Sequence, residues 1–346
     1  MRNARNARRA IVSVLVGVAT VALVLLMPGL IGTSWLSVSG LLARLSIPVM
    51  AGLALVWISG LWSHSIVLAA SLPGLTRRRG LMLNLTGSAV SNVLPLGGAA
   101  GTGLNFAMTR RWGFTSSAFA GFISVSTLVN VVAKLMVVAV ALALAPVLHT
   151  AAALPAARTG LLLIPLLGAL AAVAWLLASD SASARFGHWI DRLFGLFRTK
   201  RQSNLAAALP ELRRSILRVL RNGWRPLGGG AVGYLVLQGV LLWCCFLALG
   251  APLALPVLLT ALAVERLLTL VPITPGGAGV IEVGTTATLV ALGGDPASVA
   301  AGMLLYRGFT YLLEIPVGGT TLAIWLLRNR RRGGVAPAEA AAEPAV

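Results

Sequence analysis

The chain has 346 residues, 58% of them hydrophobic and only 11% charged, against about a quarter charged in soluble domains. Its mean hydropathy is +0.89, and residues 11–43, 45–76, 80–109, 112–133, 135–157, 159–179 and 226–264 hold no Asp, Glu, Lys or Arg. Runs of that length are membrane helices, which excludes an ordinary soluble enzyme. The net charge of +19 would direct a soluble chain toward nucleic acid. Here the basic residues gather at the ends of apolar runs, as the positive-inside rule places them, and no nucleic-acid partner is expected.

Residues 1–10 carry Arg2, Arg5, Arg8 and Arg9 and form a basic cytoplasmic N-terminus. The apolar run that follows is longer than a signal-peptide core and lacks a small-residue cleavage site, so 11–30 reads as an uncleaved first span. A first membrane unit extends over 11–178, with a second span at 46–70. His64 is a lone histidine in that apolar helix and reads as a structural hydrogen-bonding group. Arginines at 77–79 and 110–111 bracket the next apolar segment, which is interrupted by Pro95, Gly97, Gly98, Gly101 and Gly103. Two basic ends on one side predict a re-entrant hairpin over about 82–109 rather than a crossing. A long helix over 116–148 carries Asn130 and Lys134, and a further span covers 160–178.

Residues 179–226 form a basic cytoplasmic segment, with ten Lys/Arg in 185–225. Phe186, Trp189, Ile190, Leu193, Phe194 and Phe197 recur at helical spacing, the pattern of a helix lying in the headgroup plane. A second helix, over 205–220, is expected to end before Pro226. The second membrane unit covers 227–327: a span at 227–249, a re-entrant hairpin over about 253–294, and a last helix over 297–327. Residues 328–346 begin with arginines and continue as a low-complexity tail with nothing to bury. The expected fold is all-α: a polytopic membrane protein with about six full transmembrane helices and two Gly-rich re-entrant hairpins.

The second hairpin is the more sharply drawn. Pro272 and Pro275 precede Gly276, Gly277 and Gly279, then Glu282 falls in the first turn of a helix of about 20 Å, too short for a ~30 Å hydrocarbon core. Setting Gly97 and Gly98 against Gly276 and Gly277 brings 116–120 opposite 295–299, where each long helix starts. Two such units entering from opposite faces match the inverted-repeat plan of secondary transporters, which bind substrate where the units meet.

No acidic residue occurs before Asp180. Later, Glu265, Glu282 and Glu314 stand in apolar surroundings, with Arg266 beside the first and Arg307 seven residues before the last, Tyr311 between. Charges at that depth face a cavity or a partner. Glu282 reads either as an N3 residue complementing the helix dipole or as part of a site; Glu265, Arg266, Arg307 and Glu314 either as buried structural pairs or as its lining. Lys134 reads as a partner of helix ends or as snorkelling. The glycines permit close approach of backbone N–H groups to an anion, for which lipid phosphate is available. Cys244 and Cys245 are adjacent in an apolar run and suit packing. No nucleotide, metal or protease motif is present, so neither a cofactor nor a metal is expected.

The run from Glu265 through Val271-Pro-Ile-Thr-Pro-Gly-Gly-Ala-Gly-Val-Ile-Glu282, followed by Arg307, resembles the lysylphosphatidylglycerol synthase transmembrane family of flippase-like proteins. More thinly, the likeness extends over about 10–330. The family includes the flippase half of the multiple peptide resistance factor, which moves aminoacylated phosphatidylglycerol between leaflets; its synthase domain has no counterpart in this sequence. Members commonly carry Pro-x-x-x-Gly-Glu in the first hairpin and an acid in the following helix, where this chain has Pro95-Leu-Gly-Gly-Ala-Ala-Gly and Asn130 with Lys134. The resemblance implies a non-enzymatic lipid translocase of the bacterial cytoplasmic membrane, with both termini cytoplasmic. Its partners would be anionic or aminoacylated phospholipid or a polyprenyl-linked substrate, with a homodimer or a separate synthase as further possibilities. The alternative is a membrane subunit of a lipid-modifying or glycolipid-synthesising enzyme.

Overall fold

The structure is a computed structural model and describes residues 18, 21–94, 97–144, 156–179, 181–182, 185, 188, 205–270 and 274–333. Pro95, Pro272, residues 11–17 of the expected first span, the stripe residues Phe186, Trp189, Ile190, Leu193, Phe194 and Phe197, and the C-terminal tail lie outside the described residues. The described residues form helices and short connections, without a strand among them.

The helices are α1 (Val21–Leu30), α2 (Trp35–Leu42), α3 (Ile47–Ser71), α4 (Arg77–Val93), α5 (Gly97–Arg111), α6 (Ser116–Leu144), α7 (Ala156–Ala178), α8 (Leu205–Ala248), α9 (Leu255–Leu268), α10 (Val280–Ala291), α11 (Pro296–Arg307) and α12 (Glu314–Gly333). By length and composition four cross a membrane: α3, α6, the Ile216–Ala248 part of α8, and the column Pro296–Asn329. The bent pair α1–α2 would make a fifth. The chain is therefore an all-α, multi-pass membrane protein. The described residues hold four or five candidate spans where the sequence leads one to expect about six.

Three elements differ from the sequence reading. The connection after α1 holds a second helix, α2, set at 96° to α1. Gly32 turns the chain at φ 80°, and the Ser34 hydroxyl then caps α2 by accepting from Ser37 N at 3.3 Å. The expected helix end before Pro226 does not occur: α8 runs unbroken through it for 44 residues. Proline removes a single donor, a loss that membrane helices tolerate where neighbouring helices pack close. Along this stretch Gly230 lies against Ser63 and Val67 of α3, and the Ser63 hydroxyl donates to the Gly230 carbonyl at 3.1 Å. Finally, the last helix is two helices, α11 and α12, joined by a π turn at Gly308–Leu312. Pro316 follows one turn later and has no N–H to offer the Leu312 carbonyl, so a regular α ladder cannot continue across this point.

Two units recur along the chain. A shift of 180 positions carries Gly113 onto Gly293, both at φ 90°. The same shift carries the Phe114 N–H to Thr109 carbonyl bond onto that from Gly294 to Leu289 (3.1 and 3.0 Å). Each is the long-range bond of a Schellman motif, which ends a helix at a left-handed glycine. The next helix then begins on a side-chain cap: Thr115 Oγ1 accepts from Ala118 N at 3.1 Å, and Asp295 Oδ2 from Ser298 N at 2.9 Å. Packing respects the same correspondence. α3 packs along α8; α4 with α5 repeats as α9 with α10; α12 lies on α4 as α6 lies on α9; and α3 meets α4 as α8 meets α9.

Small residues make these crossings possible, as expected where lipid provides no hydrophobic drive between helices. Gly318 of α12 is buried, and a Cβ there would run into the Leu85 carbonyl of α4. Gly319, its neighbour, faces open space. Gly318→Leu should therefore separate α12 from α4 and destabilise the protein by about 1–3 kcal/mol or more, whereas Gly319→Leu should be near neutral. Thermal unfolding in detergent checks the pair; equal midpoints would mean that α12 does not seat on α4 through Gly318.

Candidate functional site

The 3₁₀ turn Pro275–Gly277 that precedes α10 packs on both α4 and α5. This turn needs glycine: Gly276, Gly277 and Gly279 have φ of 58°, 72° and 82°, a region side chains avoid. At Gly276 space is also short, since a Cβ would collide with the Tyr311 ring and with Asn92 Oδ1.

Glu282 closes the turn. Its Oε2 accepts from the Gly279 N–H at 2.6 Å, so this helix N-terminus holds an anion supplied by the chain itself. Its Oε1 accepts from Arg307 Nε at 2.6 Å. The guanidinium continues to the Gly276 carbonyl through Nη2 at 3.1 Å and lies over the Tyr311 ring, 4.9 Å from the centroid. Tyr311, in the π turn, donates its hydroxyl to the Asn92 carbonyl at 2.8 Å. The Asn92 amide returns the bond to the Tyr311 carbonyl at 3.3 Å. The motif from Pro275 to Glu282 thus fixes one buried arginine, and that arginine ties the second unit's turn to the π turn of its final helix.

Glu314, also buried, does not pair with Arg307 as their seven-residue spacing led one to expect. The π turn between them rotates it toward Ser88 of α4 and Trp57 of α3. Glu265 and Arg266 form a second buried pair at 3.2 Å, with Lys134 of α6 nearby. Tyr306 adjoins Arg266 and donates to Gln238 Oε1 at 2.8 Å; Gln238 donates in turn to the Tyr234 hydroxyl at 2.7 Å. Three basic side chains, Lys134, Arg266 and Arg307, thus stand among three acidic ones, Glu265, Glu282 and Glu314.

The glycines of the first unit divide by role. Gly97 and Gly101 pack onto α4, where a Cβ would strike the Ser91 carbonyl and the Ser91 hydroxyl, while Gly98 faces open space. Beside them lies a cavity of ≈ 220 Å³ between α3, α4, α5 and α6. Asn84, Ser88, Ser91 and Asn92 line it from α4, yet none of them stands out when the sequence is searched for charges and glycines. Their signal is the spacing i, i+4, i+7 and i+8, a polar stripe along a helix at membrane depth. Tyr234, Gln238 and Tyr306 give no comparable pattern.

Fold and interior together define a multi-pass helical membrane protein built from two units around a buried polar centre. The sequence profile of the lysylphosphatidylglycerol synthase TM region matches residues 10–318, and the chain belongs to that family, a membrane protein of lipid-related function. No curated protein matches it.

Breaking a buried pair from one side leaves an uncompensated charge and costs about 3–5 kcal/mol, whereas neutralising both partners costs much less. Arg307→Met should accordingly lower thermal stability strongly, and the double variant Arg307→Met/Glu282→Gln should recover a clear part of the loss. A double-mutant cycle in detergent measures this; strictly additive losses would mean that the pair is not coupled.

Proposed function

We propose that the protein is a lipid translocase of the bacterial cytoplasmic membrane, acting without covalent chemistry on an anionic or aminoacylated phospholipid or a lipid-linked substrate. The observation that carries this reading is the meeting of two interrupted helical units at a buried ion pair beside a cavity lined in part by polar side chains. In lipid, irregular backbone and charged side chains persist only where they line such an interior. The exchange of packing partners between units supports two re-entrant hairpins dipping from opposite faces, with both termini in the cytoplasm.

A headgroup crossing pure hydrocarbon loses its hydrogen bonds and pays the full cost of desolvation. A polar lining lowers that barrier while acyl chains remain in lipid. Gly98 and Thr102 of α5 are exposed, so the cavity has a mouth on the surface through which a headgroup would enter. Glu314, behind Ser88, would sense it electrostatically.

Reconstitution into liposomes with fluorescent phospholipids, followed by quenching of the outer leaflet, tests the proposal. Exchange should exceed that of protein-free vesicles, and Glu314→Gln should slow it by about tenfold, equivalent to ~1.4 kcal/mol on the barrier, with the fold intact. Exchange equal to protein-free vesicles for every headgroup tried overturns it.

A further inference from the structure

The two units differ at one equivalent place, and the difference leaves room. The 180-position shift that matches Gly113 with Gly293 carries Thr102 onto Glu282 and Ser126 onto Tyr306, the residue before Arg307. In the second unit that location is filled by the Glu282–Arg307 ion pair. In the first unit it is the ≈ 220 Å³ cavity, with Thr102 and Ser126 in its wall. That volume is many times the ~10–15 Å³ one water requires.

Among the described residues the lining mixes polar side chains with Leu68, Leu83, Phe122 and Ile123 and carries no formal charge. Asn84 and Asn105 offer amides and His64 an imidazole, while Ser91, Thr102 and Ser126, whose protons go to the carbonyls of Gly97, Gly98 and Phe122, offer their hydroxyl oxygens as acceptors. One of their atoms, Asn105 Oδ1, is buried without a partner; the His64 ring lies within reach of the Asn84 amide. An amide oxygen only accepts, so its missing partner is a donor; a bare phosphate or carboxylate does not supply one. A cationic headgroup donates, but it would enter a wall with no carboxylate. Lys134, which acts on His64, and Glu314, which reaches Ser88, are opposite in sign and line no part of the cavity. A group that donates and accepts at every position satisfies all of these side chains at once, and that group is a hydroxyl.

We infer that this cavity binds a neutral, hydroxyl-rich headgroup, a sugar or polyol carried on a lipid, in the place that the second unit fills with its own ion pair. The inference narrows the translocase reading to its lipid-linked substrates, in place of anionic or aminoacylated phospholipid, and rests on that reading for the lipid's movement but not for its binding.

Binding and movement are therefore measured separately. Protein in nanodiscs is titrated with monohexosyl-diacylglycerol, diacylglycerol, phosphatidylethanolamine and, as a soluble control, methyl glucoside. Monohexosyl-diacylglycerol should bind roughly tenfold more tightly than diacylglycerol, the effect of one or two buried hydrogen bonds. Asn105→Leu should erase that preference, and His64→Gln serves as the second variant should Asn105→Leu fail to fold. Saturable binding of methyl glucoside that is lost in the variant also supports the site, with free sugar rather than lipid as its source. Equal binding of all lipids, a preference for phosphatidylethanolamine, or a hexosyl preference unchanged in folded variants overturns the inference. In liposomes, hexosyl-lipid that binds while no headgroup flips faster than in protein-free vesicles would sink the translocase reading alone. Flipping without any selective binding of hexosyl-lipid would sink this inference alone.

Discussion

Lipid provides no water to a broken helix, and most of this architecture follows from that constraint. Each interruption must find its hydrogen bonds inside the protein, and the bond between Arg307 and Glu282 organises the search. One guanidinium satisfies the carboxylate that caps α10, the free carbonyl of the preceding turn and the face of Tyr311. Tyr311 and Asn92 then exchange hydrogen bonds across the two units. The result is a rigid point in a membrane interior, made from the parts of the chain least able to be regular.

Around that point the two units have diverged in content while retaining the same packing. Both end their hairpins in the same glycine motif and start the next helix on a side-chain cap. They spend their interiors differently: the second closes its own space with paired charges, the first leaves it lined by amides and hydroxyls. Buried pairs of this kind contribute little net stability against apolar packing, so their value lies in fixing one geometry. The headgroup inferred for the first unit would meet that lining with hydrogen bonds of its own.

Much of this was legible in the chain before folding. Charge-free runs identify membrane helices, and the Gly-rich breaks and the start of each long helix at Ser116 and Pro296 follow from composition and spacing. The repeat was visible at Gly97 and Gly276 to within a position of the true shift. The continuity of α8 through Pro226 was not legible, because local propensity says stop and only the seam with α3 says continue. The π turn was hidden too: seven residues between Arg307 and Glu314 place both on one face of an α-helix, and a widened turn ahead of Pro316 undoes that.

What the amino-acid order determined by itself was the solvent, the helical class and the positions where backbone regularity fails, because hydropathy, proline and glycine act locally. Which side chains meet across those failures was decided only by tertiary structure. Arg307 lies 25 positions from Glu282 and far from Asn92, and long-range pairing in a membrane interior depends on how helices cross. Those crossings rest on contacts such as Gly318 against α4. The cavity has the same origin, since an empty space belongs to no residue and exists only once four helices have packed around it.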